Sequence, residues 1–167
     1  MLDNIKQDLK TYNYDISAQG FWVMAVYRFG RWRYTIKTRI LRMPFSFLYK
    51  ILFKWVQILT GIELPCEAVV GKNFKIDHFG DIIISGYASF GDNCLIRNGV
   101  TVGLKNTDNP AAPKIGNNVD IGSGAKILGP IKIGNNVKIG ANAVVIEDIP
   151  DNSIAVGIPA RIVSKSS

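Results

Sequence analysis

Two hydrophobic rhythms divide the chain. From Glu63 onward the aliphatic positions keep a six-residue beat. Ile115, Ile121, Ile127, Ile133, Ile139 and Val145 follow one another at that spacing, with glycine directly after four of them, at 116, 122, 134 and 140. Val70 and Ile76 share the spacing, as do Ile84, Phe90, Ile96 and Val102. An α-helical stripe cannot hold a strict six-residue period, because 3.6 residues per turn rotate it off its face. A three-sided parallel β-helix can. Each flat side takes six residues and turns one aliphatic side chain inward. Small residues and asparagines, as in "IGNN" at 115–118 and 133–136, accept the left-handed backbone of a tight corner.

Residues 1–60 read instead as helical. In "SAQGFWVMAVYRFGRWRY", Phe21, Met24, Ala25 and Arg28 fall at helical spacing behind a candidate cap at Ser17. Pro44 suits the first turn of a second helix and Gly61 suits its end. That helix has too few apolar residues to span a bilayer, which needs about 20. The expected domains are a helical segment 1–60, a β-helix with its C-terminal cap 61–163, and a tail 164–167. The first coil of a solenoid needs a cap, and the helical segment is the candidate for it. The start of the chain has no basic run followed by an apolar stretch, so it does not read as a signal peptide.

The six-residue beat breaks twice. It slips to eight residues between Ile76 and Ile84, and to thirteen between Val102 and Ile115. The second break spans "GLKNTDNPAAPK", whose Asn, Asp, Pro and Lys predict a solvent-facing loop. The first holds His78, the only histidine in the chain. Irregular loops on a rigid scaffold carry function more often than its regular coils.

Charge changes the picture of the helical half. The net charge is +7, and from Arg28 to Lys54 there are eight Lys/Arg and no Asp/Glu. That concentration invites phosphate, whether on nucleic acid, an anionic membrane face or a phosphorylated ligand. The basic residues alternate with Trp, Phe and Leu at packing-like spacing, and no nucleic-acid motif is present. Residues 28–55 therefore read as packing against the protein, as a peripheral contact with an anionic membrane, or as both. Cys66 and Cys94 have neither metal-ligand nor redox spacing and are expected to be buried, reduced thiols of a cytoplasmic protein. A zinc site built on three histidines is excluded by the single one, and no metal is expected.

His78 has chemistry available to it. A hydroxyl does not ionise near neutral pH. An imidazole, with a pKa near ~6.5, can take its proton as the oxygen attacks a carbonyl. A carboxylate on the other ring nitrogen fixes the tautomer and stabilises the imidazolium. Asp77, its neighbour in the chain, is a candidate for that second role.

From Gly61 to Val163, "GIELP", "IDH", "GVTVG", "IGSGAKILG", "IGANAVV" and "GIPARIV" stand in the order of one known family. In them the chain resembles the serine acetyltransferase branch of the hexapeptide-repeat acyltransferases. The resemblance implies a left-handed parallel β-helix, a homotrimer, and acetyl-CoA bound in a cleft between neighbouring prisms. It implies His78 as general base, Glu63 orienting it, and Asp77 nearer the acceptor. By the same match Thr101 lies near the thioester, while Gly103, Ser123 and Ala141 line the pantetheine arm. Arg161 and Lys138 would meet the nucleotide phosphates, a task for guanidinium and ammonium groups.

The chain departs from that pattern where the acceptor binds. The family's "RHPK"-type motif, whose Arg and His grip an amino acid's carboxylate, is "AAPK" at Ala111 to Lys114. The glutamate of its "GET" motif is replaced by Gly86 in "SGY". A site without its carboxylate clamp should bind free serine poorly. Shortened relatives of this kind resemble the acetyltransferases of capsule, exopolysaccharide and O-antigen pathways. The expected activity is O-acetylation of a saccharide hydroxyl from acetyl-CoA, in the cytoplasm or at the inner face of its membrane. The alternatives are serine O-acetylation, N-acetylation of a nucleotide amino-sugar, and a non-catalytic β-helix scaffold.

Overall fold

A computed structural model describes residues 2–106, 108 and 110–165. Three helices precede the prism: α1 (Leu2–Thr11), α2 (Gln19–Arg33) and α3 (Arg39–Thr60). The first turn of the prism is β1 (Ile62–Glu63), β2 (Val69–Val70) and β3 (Lys75–Asp77). The second is β4 (Ile82–Ile84), β5 (Ser89–Phe90) and β6 (Leu95–Arg97), and the third is β7 (Thr101–Gly103), β8 (Lys114–Ile115) and β9 (Asp120–Ile121). The fourth is β10 (Lys126–Leu128), β11 (Lys132–Ile133) and β12 (Lys138–Ile139). β13 (Val144–Val145), β14 (Ser153–Val156) and β15 (Arg161–Lys165) close the far end.

Every third strand pairs, so three parallel faces form: β1-β4-β7-β10-β13, then β2-β5-β8-β11, then β3-β6-β9-β12-β14. The third face gains β15 as its one antiparallel strand. The architecture is a left-handed parallel β-helix with three helices at one end. The six-residue beat lies inside it. Ile76, Ile84, Phe90, Ile96, Val102, Ile115, Ile121, Ile127, Ile133, Ile139 and Val145 are all buried. The "IGNN" corners also behave as the sequence predicts, with Asn118 and Asn136 at φ 56° and 55°. Asn73, Asn93 and Asn152 take the same conformation in neighbouring turns, and each side chain in this column hydrogen-bonds the next. Stacking leaves no room beside these corners. A Cβ on Gly116 would lie 2.8 Å from the carbonyl carbon and oxygen of Gly134, so only glycine fits.

The helices cap the first turn with hydroxyls. The Ile76 N–H donates to the Tyr12 hydroxyl (2.8 Å), Val70 N–H to Tyr27 (3.0 Å) and Cys66 N–H to Tyr49 (3.0 Å). Thr60 Oγ1 accepts from Ile62 N–H at 3.2 Å. Each face thus has its open edge closed, which removes the exposed template that an unpaired strand presents. Burial pushes the Tyr12, Tyr27 and Tyr49 hydroxyls up from their ordinary range, so they remain neutral donors and acceptors. Tyr27 also donates to Ala68 O at 2.9 Å. Tyr27→Phe would strand a buried N–H and a buried carbonyl, so it is expected to destabilise the fold by about 1–3 kcal/mol in denaturant unfolding.

Several local expectations are corrected. α2 begins after Ala18, which occupies the N-cap, while Ser17 bonds Asp15 through both its N–H and its hydroxyl. An aspartate two residues upstream is a competing local acceptor for serine. α3 begins at Arg39, so Pro44 lies inside it. The Ile40 carbonyl that Pro44 cannot bond belongs to an exposed residue, where water can serve it. Gly61 does end α3, in the left-handed region at φ 66°. Cys66 and Cys94 are buried free thiols, and burial pushes Cys94 up to about 11. In the loop after Val102, Lys105, Asn106 and Asp108 are exposed. Its end is not: Ala112 and Pro113 are buried, and Pro113 O accepts from Ser89 N–H at 3.1 Å. No described helix is long and apolar enough to cross a membrane.

Candidate active site

The slip between Ile76 and Ile84 makes the corner that joins β3 to β4. Three residues there have left-handed backbones: His78 at φ 68°, Gly80 at 100° and Asp81 at 54°. A histidine in that region pays a steric penalty of roughly 1 kcal/mol, so the surrounding coil holds it there. The widened corner throws the imidazole out of the wall, with 70% of the side chain exposed. Asp77, the last residue of β3, stands beside it, with His78 Nε2 to Asp77 Oδ2 at 4.0 Å. That is an ion-pair distance rather than a hydrogen bond. Lys75 Nζ approaches Asp77 Oδ1 at 3.9 Å.

Glu63 is on β1, which pairs with β4, the strand that leaves this corner. Ile82 N–H donates to Gly61 O (3.1 Å), and β1 pairs Glu63 with Ile83. The Glu63 carboxylate takes a hydrogen bond from Gln57, Nε2 to Oε2 at 2.8 Å. Lys54 Nζ donates to Gln57 Oε1 at 3.1 Å. An ammonium at one end of the amide and a carboxylate at the other fix which way it points. No pattern within α3 betrays Gln57, because its partner lies across the turn at Gly61. Among the described hydrogen bonds, Glu63 is held by Gln57 and not by His78.

Three of the predicted cofactor positions gather on this side of the prism. Ser123 and Ala141 lie on the same corner as His78, just after β9 and β12 as His78 is just after β3, with Asn98 after β6 at the level between His78 and Ser123, and Asn142 N–H donates to Ser123 O (2.8 Å). From the level of β3 to that of β12 is three strand steps, or about 14 Å. Lys138, exposed on β12, borders the lower end. Thr101 is on the adjoining face, where Lys126 Nζ donates to its Oγ1 (3.0 Å) and to Gly99 O (2.7 Å). That donation leaves the threonine's own proton free to point outward. Gly103 is not on this corner. It ends β7 at the other edge of that face, and its carbonyl accepts from Gly129 N–H at 3.0 Å. Arg161 is exposed beyond the last turn, 4.0 Å from Glu147 and hydrogen-bonded to Ala160 O. Arg97, in register with Asp77, is a cation that the motifs do not mark. It is held by Asp120 on the neighbouring strand, which keeps the guanidinium charged.

Residues 112–147 match the family model "Bacterial transferase hexapeptide (six repeats)". Over 119 residues the chain is 40% identical to the Escherichia coli K12 protein named "Putative colanic acid biosynthesis acetyltransferase WcaB", covering 71% of this chain and 72% of that one. It is 33% identical over 164 residues to a serine acetyltransferase of Bacillus subtilis, covering 95% of this chain and 76% of that one. A crystal structure of a serine acetyltransferase from Brucella abortus, in complex with coenzyme A, superposes with a TM-score of 0.82. The two are 27% identical, over 98% of this chain and 67% of that one.

Proposed function

The chain belongs to the hexapeptide-repeat acetyltransferases, and from that premise we propose that it moves the acetyl group of acetyl-CoA to a hydroxyl of a saccharide, with His78 as general base. The imidazole takes the hydroxyl proton as the oxygen attacks the thioester carbonyl. The new C–O bond forms, the C–S bond breaks, and the same proton passes from the imidazolium to the departing thiolate. Glu63, tied by Gln57 through one oxygen, has the other available to the imidazolium. Asp77 stands on the acceptor side. The Thr101 hydroxyl serves the thioester end. Ser123 and Ala141 present backbone groups to the pantetheine arm, Gly103 does so from the edge of a neighbouring prism, and Lys138 and Arg161 meet the phosphates. This division of labour needs two prisms side by side, and the homotrimer that the family resemblance implies would supply them.

The observation that carries the saccharide reading is the pair Ala111–Ala112. Ala112 is buried and Ala111 half-buried, and neither offers a cation to a carboxylate. Phe79, next to His78, exposes 58% of its surface, an apolar ring suited to a sugar face rather than to a small zwitterion. The likeness to a protein named for colanic acid biosynthesis points the same way. A cytoplasmic position, at the inner membrane face where a lipid-linked acceptor would lie, accompanies this reading.

Thiol release from acetyl-CoA, followed with serine and then with sugars, nucleotide sugars and lipid-linked sugars, tests it. Release with a saccharide and none above background with serine is expected. Turnover of serine alone would overturn the acceptor assignment, and turnover of an amino-sugar at nitrogen would overturn the hydroxyl.

A further inference from the structure

α3 is covered on one side only. Tyr49, Phe53, Val56 and Thr60 face α2 and the first turn of the prism. The opposite side carries a continuous apolar stripe, with Ile40 77%, Phe47 68%, Ile51 40%, Trp55 60%, Ile58 68% and Leu59 57% exposed. The helix has 22 residues and is about 33 Å long. Its stripe is far larger than the scattered apolar residues normal on a surface.

Charge identifies what covers it. Between Ile16 and Ile62 there are eight Lys/Arg and no Asp/Glu, while residues 63–167 carry ten of each. Not all eight are free. Arg28 is paired with Asp8, and Arg33 is buried against Cys66 and beside Glu67. Lys37, Arg39 and Lys50 remain exposed on α3 or just before it, and Lys54 is exposed as well but is bonded to Gln57. Two copies of this face laid together would oppose cation to cation with no carboxylate on either helix, so the same face of a second copy is a poor match. A surface that is both apolar and anionic matches both properties.

We propose that α3 lies in the plane of an anionic lipid bilayer, its stripe set among the acyl chains and its lysines and arginine among the headgroup phosphates. The contact adds a partner to the acetyltransferase reading but does not use the site's chemistry, so each can fail without the other.

Sedimentation of the full chain with vesicles tests it, alongside thiol release with a soluble acceptor. Binding is expected to phosphatidylglycerol-containing vesicles at low salt, to weaken at least tenfold in high salt, and to be absent with pure phosphatidylcholine. Phe47→Ser with Ile51→Ser, and separately Arg39→Glu with Lys50→Glu, should each lower it at least tenfold while thiol release is unchanged. These side chains are exposed, so the thermal transition of both variants should match the parent and exclude misfolding. Binding that survives the Phe47→Ser, Ile51→Ser change would place the contact elsewhere and overturn the assignment. So would an assembly larger than a trimer that this change dissociates, because the face would then join copies of the chain. Absence of vesicle binding at low salt overturns it directly.

Discussion

Replacing His78 by Ala should lower acetyl transfer roughly 10²–10⁴-fold, the range a general base contributes, with binding of acetyl-CoA and the thermal transition unchanged. The geometry makes the variant clean. The side chain is 70% exposed and has no hydrogen bond among those described, so its removal opens no cavity and strands no buried partner. A fall in kcat with unchanged acetyl-CoA affinity would mark loss of an interaction made only in the transition state. Equal turnover by parent and variant would remove His78 from the chemistry. Loss of turnover together with loss of acetyl-CoA binding would instead make it a binding residue.

What could be read from the residues follows from how strictly each position is constrained. An inward position in a stacked coil admits only an apolar side chain of limited size, so the period from Ile115 to Val145 has no exceptions. A corner needs a left-handed residue, so Asn118 and Asn136 could be placed too. A break in such a pattern is as informative as the pattern, and His78 stood out for that reason. Contacts between elements leave no periodic trace. The bond from Gln57 to Glu63 and the tyrosine caps on the first turn join residues whose spacing has no rule. The basic run from Arg28 to Lys54 was legible as charge, but its division was not. Arg28 and Arg33 have turned inward to structural partners, while Arg39 and Lys50 stay at the surface. Local sequence shows an amphipathic helix and cannot show which of its sides the rest of the chain covers.

Arg28 gives the largest expected effect on stability. Its Nε is 2.8 Å from Asp8 Oδ2 and one terminal nitrogen is 3.1 Å from Oδ1, a two-point contact, with the side chains only 10% and 1% exposed. The same guanidinium donates to Gly71 O at 2.9 Å and to Val70 O at 3.3 Å. One side chain therefore ties α1 and α2 to the edge of β2. Arg28→Ala leaves the Asp8 carboxylate buried with no cation beside it, and two edge carbonyls without this donor. Breaking one side of such a pair destabilises by about 3–5 kcal/mol, which for a chain of this length lowers Tm by roughly 10 °C. Lysine has the charge but not the fork, so Arg28→Lys should recover only part of the loss. Adding Asp8→Asn to Arg28→Ala removes the stranded charge, and the double variant is expected to be more stable than Arg28→Ala alone. Additive losses in that cycle would mean that the two side chains do not act as a pair, and that the helices are held to the prism by the tyrosine hydroxyls and apolar packing without them.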